Sequence, residues 1–166
     1  MQHSLFSSDG IAEQKLPHST KAIGLPSNAT EVANGVRNLF YDLGYSSITE
    51  MRLASGRRAD VVGLDRRGRF SIVEIKTSRA DLQSDHKWFE YRDFCDDFYF
   101  AVPVDFPLQI VPNDTGLIVA DRFAGEIIRS STRCPMPSAR RSRQIMQFAR
   151  TAGVRLWKRE RHFAGF

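Results

Sequence analysis

Three charged residues stand where apolar side chains are expected. In "RRADVVGLDRRGRFSIVEIKTS", residues 57–78, two apolar runs flank a Gly-containing turn, and these runs carry Asp60, Glu74 and Lys76. Strand alternation sets Phe70, Ile72, Glu74 and Lys76 on one side of the second run, with Ser71, Val73 and Ile75 on the other. Both sides carry apolar residues, as in a central strand covered on both faces. A carboxylate buried there needs a cation, a metal or several hydrogen bonds, because burial without them costs several kcal/mol. Two close carboxylates repel unless a divalent ion lies between them. Mg2+ takes oxygen ligands, commonly one or two carboxylates with water or phosphate oxygens completing its shell. Asp60 and Glu74 suit Mg2+ or Mn2+ in that way. A lysine beside them could orient or deprotonate a water, or stabilise developing negative charge. The competing reading is a Glu74–Lys76 ion pair at a solvated strand end, with Asp60 as a turn or cap residue. The register of the two runs, and so whether Asp60 and Glu74 share a face, stays open at this level.

The elements that must position these residues are legible as periodicities. Val32, Val36, Leu39, Phe40 and Leu43 form one face of a helix, with Asn28 and Glu31 as its cap and Gly44 as its stop. "YSSITEMRLAS", "RRADVVGLD" and "RFSIVEIKT" read as three strands, the last two joined by the hairpin turn "DRRGR". "SDHKWFEYRDFCDD" reads as a helix bringing Trp88, Tyr91 and Cys95 to one face. "FYFAVPV" reads as a buried strand, "DFPLQIVPND" as loop, and "GLIVAD" with "EIIRSS" as a further hairpin. From about Ala139 a last helix gathers Ile145, Phe148, Ala149, Ala152 and Leu156 on one face, and Arg140, Arg143, Gln147, Arg150 and Lys158 on the other. Residues 1–27, Ser-rich and aperiodic, read as a loose arm, and residues 28–166 as a single domain. The fold class is α/β: a mixed sheet flanked by helices.

Composition bounds the partners. The chain of 166 residues has a net charge of +5 and a pI near 9.6, which favours an anionic partner such as nucleic acid. Cys95 and Cys134 form no CxxC and read as free, buried thiols in a reducing compartment, with one disulfide left open. There is no apolar run of transmembrane length and no secretory pattern at the N-terminus, so a cytoplasmic protein is expected, with no membrane partner. Self-association as a homodimer stays open.

Asp60, a hairpin and then Glu74-Ile75-Lys76 resemble the motif of the PD-(D/E)xK nuclease superfamily. The segments "GRRADVVGL", "IVEIKTSRADLQSDHKWFEYRDFCDDFYFAVP" and "GLIVADRFAGEIIR" look like the MmcB-like DNA repair family, a bacterial branch of it. The resemblance implies a restriction-endonuclease-like α-β-β-β-α-β core, here followed by a hairpin and a C-terminal helix. It also implies a role in DNA repair and a nuclease activity dependent on Mg2+ or Mn2+. Asp60, Glu74 and the main-chain carbonyl of Ile75 would be metal ligands and Lys76 the catalytic lysine. Superfamily members often add an earlier glutamate. Glu50 is the preferred match, and Glu31, equally readable as a helix cap, is its rival. The motif's proline is Ala59 here, and the Gln-x-x-x-Tyr of RecB-like relatives is Lys87-x-x-x-Tyr91.

For DNA itself, Arg57 and Arg58 adjoin Asp60 and could clamp phosphate. Arg66, Arg67 and Arg69 fall in the hairpin turn and read as a solvated tip. Lys87 and Tyr91 could contact a phosphate and stack on a base, against core packing for Tyr91 and Trp88. Arg140 and Arg143 offer a second backbone contact, against a plain solvated face. Asp81 and Asp85 read as caps at a helix start, and His86 as a solvated neighbour. No helix-turn-helix, zinc-finger or RRM pattern is present, so recognition of backbone or DNA structure is expected. The alternative to a nuclease is a catalytically silent DNA-binding or scaffold protein of the same fold. An enzyme acting on another phosphate ester is less supported, because there is no P-loop and no GxGxxG.

Overall fold

A computed structural model describes residues 28–163, so the reading of residues 1–27 as an arm lies outside the described residues. Helix α1 (Ala29–Asp42) opens on a reciprocal capping box. The Asn28 side chain accepts from the Glu31 N–H at 3.0 Å and the Glu31 carboxylate accepts from the Asn28 N–H. Gly44, at φ +79°, supplies the left-handed residue that ends the helix. Strands β1 (Ser46–Arg52), β2 (Arg58–Leu64) and β3 (Phe70–Ile75) follow as an antiparallel meander. The turn between β2 and β3 closes through Gly68 at φ +77° and through Asp65, whose carboxylate takes the Arg67 and Arg69 N–H groups.

After β3 the chain crosses over to β4 (Asp97–Val102), parallel to β3, and then to β5 (Gly116–Ala120), parallel to β4. β6 (Gly125–Arg129) returns antiparallel, completing a six-stranded sheet in sequential order. Both parallel crossovers move the same way across the sheet, so a common handedness puts them on the same face. There Leu82, Tyr91, Phe106 and Val111 pack on Phe70, Ile72, Phe98 and Phe100. On the opposite face Val32, Val36 and Phe40 of α1 close over Val61, Val73, Tyr99 and Ile118. Full burial of each such side chain stabilises the fold by about 1.5–3 kcal/mol. α1 lies so close to the β5–β6 turn that a Cβ on Gly35 would fall 2.1 Å from the Asp121 carbonyl oxygen.

Three expectations between residues 84 and 134 are corrected. The segment 84–97 is not one helix. Helix α2 (Arg79–Ser84) stops at Asp85, and a 3-10 segment, Trp88–Phe94, resumes after it. Asp85 causes the break: its side chain takes the Lys87 N–H at 3.1 Å and pairs with Lys76, a local alternative to helical bonding. "DFPLQIVPND" holds a short 3-10 turn, Leu108–Ile110. Cys95 is buried but Cys134 is exposed, and both are free.

Helix α3 (Ser138–Phe163) is present, but its docking face is not the expected one. Ile145 and Leu156 are 36% and 58% exposed. The face on the sheet is Arg141, Gln144, Phe148, Thr151 and Arg155, and it is mostly polar. What lies beneath is a row of acceptors. Gln144 donates to the Phe94 carbonyl and Gln147 to the Arg52 carbonyl, while Arg155 donates to the Thr49 and Glu50 carbonyls. Helix donors meet these acceptors, so apolar periodicity does not predict the contact.

Candidate functional site

The β2–β3 register runs from Leu64↔Phe70 to Val61↔Val73 and then stops. The next pair in that register is Asp60 and Glu74, directly opposite each other and therefore on one face. Here the carboxylates replace the ladder. The Asp60 N–H donates to Glu74 Oε1 at 3.3 Å, and the Ile75 N–H donates to Asp60 Oδ2 at 2.9 Å. A strand residue points its N–H and C=O to the same edge, so the Ile75 carbonyl also turns toward Asp60. Glu74 is buried and Asp60 half-buried. Burial, and then the charge of Asp60, push the Glu74 carboxyl up to about 8. Burial likewise raises Asp60, with Glu50 adding to the effect.

Lys76 is buried beside them. Its N–H donates to the Ala101 carbonyl, and its Nζ lies 2.7 Å from Asp85 and 3.6 Å from Asp81. Burial works against the ammonium, but the Asp85 hydrogen bond and charge prevail and raise its pKa. Asp85 is the residue that sequence reasoning missed. It reads as a helix-start cap; in fact it ends α2 and anchors the lysine. Only the tertiary return of α2 over the end of β3 reveals this.

Glu50 occupies the matching level of β1. Pairing is regular at Thr49↔Val61 and Met51↔Ala59 but absent between Glu50 and Asp60, and Glu50 has φ +51°. A non-glycine residue in that region carries strain and is held only by its surroundings. The holders are Arg155, gripping the carbonyls of Thr49 and Glu50, and Arg58, ion-paired with the Glu50 carboxylate. Among the described residues no group of three or more His, Cys, Asp or Glu side chains converges as a metal cluster. Glu50 therefore stands beside the carboxylate pair without completing it. The rival Glu31 is spent on its capping box.

The expected DNA contacts divide. Arg58, Lys87 and Arg143 are exposed. Arg57 is held by both oxygens of Glu90, at 2.5 and 2.9 Å. Arg140 donates to the Asp93 carbonyl and lies over the Phe94 ring. Tyr91 offers no ring to a base: it is 6% exposed, stacks on Phe98 and donates its hydroxyl to the Arg58 carbonyl at 3.1 Å. Burial and the two carboxylates raise its pKa.

A buried and a half-buried carboxylate face each other, and the Lys76 ammonium beside them is committed to Asp85. That donor set, with the Ile75 carbonyl, fits a hard divalent cation, which would remove the repulsion between them.

The element order and this site define a mixed α/β protein, a six-stranded mixed sheet flanked by N- and C-terminal helices, with its charged residues at one end of β2 and β3. Compared with known families, residues 16–162 match the family described as "DNA repair protein MmcB-like", and the chain belongs to that family. A solved structure of a protein of unknown function from Silicibacter pomeroyi is 36% identical, with a TM-score of 0.75, covering 81% of this chain and 91% of that one. No curated protein matches. Among the described residues no helix is long and apolar enough to cross a membrane.

Proposed function

We propose that this chain is a DNA nuclease of repair, hydrolysing phosphodiester bonds with Mg2+ or Mn2+ held by Asp60, Glu74 and the Ile75 carbonyl. The observation that carries this reading is the opposed carboxylate pair, Glu74 buried and Asp60 half-buried, with a buried lysine at its side. A divalent ion bound there would supply Lewis acidity and a water of lowered pKa. The side chains do the rest. Asp60 and Glu74 each take one N–H of the other's strand on one oxygen, which leaves the second oxygen of each for the ion. Lys76, its proton retained by Asp85, serves as a cation for the phosphate oxygens and for charge developing in the transition state, not as a base. Arg58, at the mouth, is free to exchange Glu50 for a phosphate.

The test is cleavage of single-stranded, duplex and branched DNA with Mg2+ or Mn2+. Activity should vanish in Asp60→Asn and fall by about 10²–10³-fold in Lys76→Met. No cleavage of any substrate, or cleavage equal in Asp60→Asn, overturns the proposal. One observation favours the second reading, a DNA-binding protein without turnover: Lys76 is already committed to Asp85. DNA binding that survives Asp60→Asn, with no hydrolysis by the wild type, would select it.

A further inference from the structure

The positive charge of this chain is concentrated in one helix. α3 carries seven arginines and one lysine against one glutamate, while the whole chain is only +5. Everything outside α3 is therefore net acidic. Helical position sorts these cations. Arg141 and Arg155 are turned to the sheet and Arg140 to the 3-10 segment. Arg143, Arg150 and Arg161 recur at intervals that keep them on a third side, with Val154 and Trp157 between them. All five are exposed. Among the described residues none of the three arginines has a carboxylate at ion-pair distance. At 1.5 Å per residue the stripe is about 27 Å long.

The stripe passes the candidate site. Gln147, one turn from both Arg143 and Arg150, donates to the carbonyl of Arg52, whose strand partner Arg58 lies two residues before Asp60. The exposed aromatics of α3 offer few bare faces: Arg161 stands 5.0 Å over Trp157 and Arg159 5.8 Å over Phe163. A straight rod of guanidinium groups suits the regular phosphate backbone of a duplex better than the unstacked bases of a single strand. We infer that Arg143, Arg150 and Arg161 form a backbone contact for duplex DNA that extends the candidate site along α3, an inference that rests on the DNA reading above.

Duplex binding is measured by fluorescence anisotropy in EDTA across a range of KCl concentrations. In the triple variant Arg143→Gln/Arg150→Gln/Arg161→Gln, the slope of log K against log salt should shallow by about 2.7, at about 0.9 per lost phosphate contact. Arg66→Gln/Arg67→Gln, at the hairpin tip, should leave it unchanged. DNA should shift the tryptophan emission of the wild type and not that of Trp157→Phe. The inference is overturned by an unchanged slope in the triple variant, or by an equal loss in the tip variant. It is also overturned by a wild-type dimer that the triple variant dissolves without loss of DNA affinity. Cleavage is not needed here, so a protein that binds through the stripe without hydrolysis supports this inference and refutes only the catalytic one.

Discussion

Glu74 carries the electrostatic tension of the site. Its carboxyl titrates near 8 in the fold against an ordinary 4.5, so between those values the folded chain binds a proton that the unfolded chain has released. The contribution of Glu74 to stability is therefore fully present below about 4.5 and lost as pH rises through about 8. In EDTA, thermal denaturation between pH 5 and 9 should show this loss. Glu74→Gln should flatten the profile, and Mn2+ at pH 8 should restore the melting temperature by favouring the ionised pair. A profile in EDTA that falls through this window by the same amount in Glu74→Gln contradicts the assignment. Glu50 gives a second residue-scale prediction. Its φ of +51° suits glycine, so Glu50→Gly should be about 1 kcal/mol more stable than Glu50→Ala by urea denaturation, both lacking the ion pair. Equal stabilities would mean the strain is absent. Asp60, Glu74 and Lys76 were legible because charges in an alternating apolar run have few places to go. Asp85 and the backbone of Glu50 were not, because one depends on where α2 returns and the other on a break in strand pairing.

At the scale of elements, α3 is held by a lock that periodicity conceals. The buried Asp96 carboxylate accepts two bonds from Arg141, each at 2.7 Å, and one each from the Phe70 and Met136 N–H groups. The burial of Asp96 opposes its charge, yet these donors hold its carboxyl below the usual range. In the sequence Asp96 is one of two aspartates after a cysteine, in a stretch that reads as a helix end. The helix register that would centre Arg141 on it is hidden because the apolar stripe of α3 points elsewhere. Removing Asp96 orphans two buried N–H groups and leaves the guanidinium only the Gly68 and Met136 carbonyls, whereas removing Arg141 leaves the carboxylate two of its donors. Asp96→Ala should accordingly cost about 3–5 kcal/mol in urea denaturation, and Arg141→Ala distinctly less. Asp96→Ala with wild-type stability would mean that α3 docks by other means. The strands, by contrast, were legible almost residue by residue, since alternation and the turn residues Asp65 and Gly68 declare the hairpin.

At the scale of the molecule, both sheet faces are closed by packed side chains, which confines the chemistry to the end where β2 begins and β3 finishes. A net charge of +5 suggested an anionic partner but not its path. The path follows from α3, which starts by the β2–β3 hairpin tip, where Arg141 donates to the Gly68 carbonyl, and passes the level of Glu50, while the rest of the chain is net acidic. A duplex bound at the carboxylates would thus be supported along the line of α3. Each strand carries a phosphate every 3.4 Å or so, and about 8 base pairs would cover the stripe. Duplexes lengthened around the cleaved bond should rise in kcat/KM until about 8 base pairs are covered and then level off. The rise should shrink at high salt, as screening takes over from the stripe. It should also be missing from Arg143→Gln/Arg150→Gln/Arg161→Gln, with cleavage of the shortest duplex retained. A rise of equal size in that variant would place the supporting charge elsewhere, since the stripe would then carry none of the footprint.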